Sequence, residues 1–334
     1  MTRARTLQAT SRRAVLAALA TACAAAILLT ASLARAGDAV TVQLKGPHQS
    51  QFAGLYVADA KGFYRAEGLD VRHREWKLGD RSPIEQVLSG NADFGITSQA
   101  RFLIERERGA RIVAVAAIYQ RSSVVFLALK QSNIKHPRDF AGKTIAFAPT
   151  HEVALQGVLK RFGMDVKQLK RTPYGFDLAP FYKGETAIWA GHAMLQPVEA
   201  RLGGHEVTII SPDDYGVLGY DDILFVAEDL LRRKPAVVER WVRAVLRGWR
   251  YAIDHADEAT TITCALSETL RRDRQAAMLL ASIPLIHAGA HPIGWMTREV
   301  WQSAAELLHE HKRLTRVPPL DGLFTTMFVE RASR

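Results

Sequence analysis

Chemistry in this chain has to come from polar and aromatic side chains that follow short apolar runs. Gly46 to Gln51 follows one such run and carries His48 and Gln49, each able to donate or accept hydrogen bonds, with Phe52 directly after them. Thr97-Ser98-Gln99 follows another and opens a helix. Free N–H groups and hydroxyls at that point suit a carboxylate, sulfonate or carbonyl oxygen, while Ser98 equally suits a simple cap. Tyr119 and Gln120 precede Arg121, whose fork matches an anionic solute in bidentate fashion or an acid of a second lobe. Thr150 and His151 begin a further helix, and Glu152 fits its first turn without any ligand. Tyr174, Asp177, Trp189, Tyr215, Tyr220 and Asp221 add aromatic faces with a few fixed polar groups, a composition that suits a flat heterocycle or a small aromatic acid. No nucleophile elbow, P-loop, dinucleotide glycine fingerprint or metal-spaced histidine pair is present. His287 and His291 stand four apart, but Gly289 and Pro292 interrupt a helix there. The expectation is capture without catalysis, cofactor or metal.

These residues need a frame. Apolar runs predict strands at 40–44, 69–76, 94–96 and 112–118, with helices at 52–61, 84–89 and from Ser98 to Gly109. A second set of strands is expected at 124–129, 144–147, 169–173, 187–190 and 207–210, with helices at 151–162, 178–183 and 197–202. One more apolar strand, 223–226, precedes a helical remainder. There Val238, Trp241, Val242, Val245, Trp249, Ala252 and Ile253 form one apolar stripe, with Arg240, Arg243, Arg247 and Arg250 on other faces. The alternation predicts an α/β chain with mostly parallel sheets covered on both faces. Extended stretches around 119–125 and 219–226 are hinge crossovers. Lobe one is expected at 37–121 and 222–334, and lobe two at 122–221. Ligands in open α/β sheets sit beyond the C-terminal ends of the strands, so the mouth between the lobes is the expected site.

Composition narrows the partners. The 334 residues hold 44 Lys+Arg and 34 Asp+Glu, a net charge of +10, with 48% hydrophobic and 23% charged residues. That balance excludes a disordered or multi-span membrane chain. Residues 1–36 hold Arg3, Arg5, Arg12, Arg13 and Arg35 and no acid, so the remainder carries 10 − 5 = +5. Spread thinly, this charge gives no basic patch for nucleic acid. The first 36 residues read as a secretory signal: Arg12-Arg13, an uncharged run from Ala14 to Ala34, and Ala34-Arg35-Ala36, with cleavage expected after Ala36. The paired arginines resemble a twin-arginine export signal. An uncleaved anchor, or lipid attachment at Cys23, is the alternative. Cys264, alone after cleavage, is expected to be a small buried residue.

Several segments carry a resemblance in order along the chain. They include His48-Gln49-Ser50-Gln51-Phe52-Ala53-Gly54, Lys61-Gly62-Phe63-Tyr64, Glu67-Gly68-Leu69-Asp70-Val71 and Ser89-Gly90-Asn91-Ala92-Asp93-Phe94-Gly95-Ile96. Tyr119-Gln120-Arg121-Ser122, Asp214-Tyr215-Gly216, Gly248-Trp249-Arg250-Tyr251-Ala252 and Gly294-Trp295-Met296 follow. Together these resemble the extracytoplasmic solute-binding proteins of the NMT1/THI5-like group, relatives of thiamine-pyrimidine, taurine and nitrate binders. The resemblance implies a two-lobe periplasmic-binding-protein fold (type II clamshell) that closes on a solute and hands it to an ABC permease, as a monomer in the periplasm. It implies a pyrimidine or thiamine-precursor-like heterocycle, or a small aromatic or sulfonate acid. The chain departs from the group at Gly46, where Trp is frequent, and at Leu195-Gln196-Pro197, where Asn-Glu-Pro is frequent; Gln196 thus replaces an acid. The cysteine-rich run of related pyrimidine-making enzymes is replaced by Val217-Leu218-Gly219-Tyr220. The alternatives are a ligand-sensing partner of a membrane receptor or, further off, such an enzyme.

Overall fold

The computed structural model describes residues 37–175, 177–286 and 291–333, so the expectations for residues 1–36 and for His287 lie outside the described residues. Val40, Val42 and Leu44 alternate with polar neighbours and bury one face of β1 (Asp38–Gln43). β2 (Leu69–Arg74), β3 (Phe94–Thr97) and β4 (Ile112–Tyr119) follow, and every residue of β4 is buried. The chain then builds β5 (Val124–Leu129), β6 (Thr144–Ala146), β7 (Lys170–Thr172), β8 (Ile188–His192) and β9 (Val207–Ile210) before returning as β10 (Asp221–Ala227). Among the described residues two five-stranded sheets result, ordered β2-β1-β3-β10-β4 and β7-β6-β8-β5-β9.

One strand in each sheet breaks the expected parallel order. β1 runs parallel to β3, and β6 runs parallel to β7 and β8, but β10 is antiparallel to both its neighbours and so is β5. The reason lies in the crossovers. Each of these two strands begins where the chain has just crossed between the lobes, so it runs away from the cleft while its parallel neighbours run towards it. The register places Asp221 opposite Tyr119, setting the start of β10 beside the end of β4.

The helix Pro235–Asp254 covers the first sheet with the expected stripe, stacking Trp241 on Phe94 with centroids 3.8 Å apart. Burial of each such ring contributes about 1.5–3 kcal/mol. The helix packs against Ala53–Ala60 through two glycines. A Cβ at Gly54 would stand 2.3 Å from the Trp249 ring, and one at Gly248 would stand 2.1 Å from the Gly54 carbonyl oxygen. The two helices can therefore approach only where both lack side chains. Of the four arginines, Arg247 lies over the Phe63 ring and Arg243 pairs with Glu67. Cys264 is only half-buried, because it ends the helix Ala256–Cys264 facing partly outward.

The lobes also meet directly. Met194, just after β8, is 1% exposed and sits in the apolar core of the first sheet, while Leu307 of the helix Arg298–Glu310 packs on the core of the second. Arg274 pairs with Glu199, Lys160 with Glu310, and Arg313 with Glu152 at 2.6 Å across the same boundary. No helix among the described residues is long and apolar enough to cross a membrane.

Candidate functional site

Topology brings the cleft ends of the strands together at the crossovers. On the first lobe, the chain leaving β1 places Lys45 against the start of β10. The Lys45 ammonium pairs with Asp221 and lies 2.6 Å from Asp222 Oδ1. Gln51 Nε2 donates to the same Asp222 oxygen at 2.9 Å and Gln49 Nε2 donates to Gln51 Oε1 at 2.8 Å. Asp222 adopts φ +47°, a left-handed backbone that side chains other than glycine seldom take and that recurs at functional sites. The Ser50 N–H donates to Gln275 Oε1 at 2.7 Å, tying this loop to the helix Arg272–Ile286.

One cation serves two carboxylates, and their titration divides accordingly. Burial raises Asp222 to about 6, only partly offset by Lys45 and reinforced by Asp221. For Asp221 burial pulls upward too, but the charge of Lys45 and the hydrogen bonds from Lys45 and Ser123 outweigh it and hold the carboxyl below its usual range. Burial opposes the Lys45 charge as well, yet the two aspartates win and keep the ammonium firmly protonated.

The second lobe answers with neutral groups. The Ala148 N–H donates to His151 Nδ1 at 3.3 Å, which leaves the proton of this imidazole on Nε2, facing His192 Nε2 at 3.5 Å. His192 then carries its own proton on Nδ1, 2.8 Å from Ser123 Oγ, and the Ser123 hydroxyl donates to Asp221 Oδ2. A hydrogen-bonded chain of one fixed polarity thus runs from His151 through His192 and Ser123 to the ion pair. Burial, then the neighbouring His192, pushes His151 down to about 3; burial also lowers His192. The Tyr174 ring lies 5.5 Å from His151 and 5.2 Å from Trp189, centroid to centroid, closing the wall.

The sequence candidates divide between this cluster and other roles. Gln49, His151, Tyr174, Trp189 and Asp221 come together there, with Trp189 fully buried against the Tyr174 ring. Gln196 braces the wall, its Oε1 taking the His192 N–H at 2.7 Å. His48 is held by Tyr56 OH at 2.9 Å through Nδ1, and its N–H donates to Glu75 at 2.6 Å. Phe52 is core, 1% exposed, packed beneath the first sheet. Ser98 caps its helix by accepting the Arg101 N–H, and Gln99 Oε1 accepts the Tyr220 N–H at 2.9 Å. Tyr119 OH donates to Ser282 at 2.8 Å inside the first lobe. Arg121 forks onto Asp213 and Asp214 at 2.6 and 2.7 Å, the hinge ion pair, so its charge is already matched.

Gln120, Arg121 and Tyr220 instead line a separate cavity of about 440 Å³ beside the hinge, with Trp295 and Val300. Thr150 is exposed, Asp177 caps Ala179, and Tyr215 packs on His136 and Phe162 away from the cluster. Sequence reasoning missed Lys45, Ser123, His192, Asp222 and Gln275. The one available signal was the Asp221-Asp222 doublet at the mouth of an apolar strand, where a second buried charge needs a partner.

Two mixed α/β sheets bridged twice define a two-lobe periplasmic-binding-protein fold. The aliphatic sulphonate binding protein SsuA from Escherichia coli shares it with a TM-score of 0.69, at 17% identity over 86% of this chain and 92% of its own. The chain belongs to the NMT1/THI5-like family, whose model matches residues 49–259. It is 24% identical to a formylaminopyrimidine-binding protein of Halalkalibacterium halodurans over 89% of this chain and 93% of that protein. It is 27% identical to the riboflavin-binding protein RibY of Chloroflexus aurantiacus over 88% and 87%. A relative named 4-amino-5-hydroxymethyl-2-methylpyrimidine phosphate synthase, from Legionella pneumophila, is 21% identical over 69% of this chain and 74% of its own.

Proposed function

We propose that this protein is the extracytoplasmic solute-binding component of an ABC importer. It captures a small organic solute between lobe one (37–121 and 222–334) and lobe two (122–221), and the closed form is what the permease engages. Export on the N-terminal signal, with cleavage after Ala36, places it in the periplasm as a monomer. The observation that carries this reading is the polar chain from Lys45 through Asp221 and Ser123 to His192 and His151, which joins both lobes at the cleft ends of their strands. The names of the formylaminopyrimidine- and riboflavin-binding relatives support it.

The same geometry argues against a hydrolytic triad. In a hydrolytic triad the carboxylate orients the imidazole and leaves the hydroxyl free to attack. Here the Ser123 hydroxyl lies between Asp221 and His192, its proton on the acid and its oxygen accepting from the imidazole. In a binding protein a solute favours closure only through its differential contacts with the closed state.

A melting-temperature screen of the mature chain against heterocycles, aromatic acids and sulfonates tests the proposal. A solute at 100 times its Kd stabilises the native state by about 2.7 kcal/mol, and the same solute should shrink the radius of gyration in scattering. Absence of any shift across all three classes would remove the proposal.

A further inference from the structure

The cavity beside the hinge shares no lining residue with the cluster around Lys45. Its volume of about 440 Å³ suits a small molecule. Four parts of the chain enclose it. Arg121 comes from the outgoing crossover, Leu218 to Tyr220 from the returning one, and Asp213 from lobe two. Trp295 and Glu299 come from lobe one, just before and just inside the helix Arg298–Glu310.

The charge of this lining is out of balance. Arg121 Nε meets Asp213 Oδ2 at 2.6 Å, while its Nη2 goes to Asp214 at 2.7 Å, so one guanidinium is divided between two acids. Asp213 Oδ1 and the exposed Glu299 carboxylate make no hydrogen bond or ion pair among the described residues. Burial pushes the Asp213 carboxyl upward although Arg121 pulls the other way, so the guanidinium alone leaves this acid short of positive charge.

The rest of the lining is aromatic and apolar. Trp295 is half-buried, and the Tyr220 hydroxyl accepts the Thr297 N–H at 2.8 Å, which fixes the phenol ring against the cavity. An indole face attracts a cation more strongly than any other side-chain ring. A metal ion would use the acids and ignore the rings, and no group of acids, histidines or cysteines among the described residues is placed to hold one. A neutral ring would use the aromatics and leave the acids uncompensated, and an anion would be repelled by them.

We propose that this hinge cavity is a second binding site, separate from the cleft, for a small organic ammonium ion. Trp295 and Tyr220 face its alkyl groups, and Asp213 and Glu299 supply the counter-charge. The bound ion touches both lobes and both crossovers, the parts whose relative positions the proposed closure changes.

Calorimetric titration of the mature chain with choline tests this, against the neutral alcohol in which carbon replaces the choline nitrogen. Choline should bind, and the neutral alcohol about 30-fold more weakly or not at all. Trp295→Leu should weaken choline by about 2- to 30-fold. Glu299→Gln, which breaks no hydrogen bond of the fold, should weaken it by about 2- to 5-fold without lowering the melting temperature, an effect that fades in high salt. The comparison of choline with the alcohol is read on the native chain, so it stands even where Trp295→Leu fails to fold. Equal binding of the two would overturn the proposal. So would choline binding that Glu299→Gln leaves unchanged at low salt, or no binding of either choline or tetramethylammonium. Each of these outcomes leaves solute capture in the cleft intact, because the solute screen reads other residues.

Discussion

The two walls of the cleft solve one problem in opposite ways. The first lobe buries charge and neutralises it by pairing, Lys45 against Asp221 and Asp222, whereas the second buries titratable groups and keeps them uncharged, His151 against His192. Pairing offsets the desolvation of the charges and is expensive to break, since removing one partner leaves the other as a bare ion in a medium of low polarity. Neutral burial carries no charge penalty until protons become abundant. One wall should therefore be sensitive to mutation and the other to acid.

The largest effect should come from Lys45→Met, which leaves two adjacent buried carboxylates without a cation. We expect a loss of about 3–5 kcal/mol in urea unfolding at neutral pH. Acid should act next, through the other wall. The folded His151 stays neutral down to about pH 3, whereas its ordinary value is 6.5. The unfolded chain thus binds the extra proton, and stability declines as pH falls below 6.5 by about 1.4 kcal/mol per unit for each such group. His73, which burial holds at about 4, adds to this slope, so His151→Phe should flatten the profile of unfolding free energy against pH only in part.

Asp222 reverses the sign. Its folded value of about 6 lies above the ordinary 3.8, so the folded state keeps a proton that the unfolded chain releases. Its favourable contribution is complete below 3.8 and lost as pH rises through 6. Asp222→Asn should raise stability at pH 8 by about 1–3 kcal/mol relative to pH 4, measured by the same titration. The smallest effect belongs to Arg121→Ala. The hinge pair is partly solvated, and we expect a change of about 0–1 kcal/mol in thermal unfolding.

Much of the frame was legible because apolar runs and stripes are local. The fully buried β4 and the stripe on Pro235–Asp254 follow from spacing alone. Strand direction was not, because β5 and β10 take their sense from crossovers, a property of the whole path. The site was legible in part for the same reason. Asp221 could be named from its place before an apolar run, but its partner Lys45 lies 176 residues earlier, and no local pattern links them. Arg121 was read with two outcomes open, and the structure gives it the acids of the hinge. Phe52 was grouped with its polar neighbours in sequence, although its ring turns inward to the core while Gln49 and Gln51 turn to the ion pair.

Met194 has a consequence for how the molecule rests when empty. Its thioether belongs by chain position to one half but is plugged into the apolar socket of the other. Swinging apart means unplugging it, at about 1.5–3 kcal/mol. On the proposed closure this contact adds that margin to the shut form, and trimming the plug to alanine should yield a clamp that gapes more readily and grips more weakly.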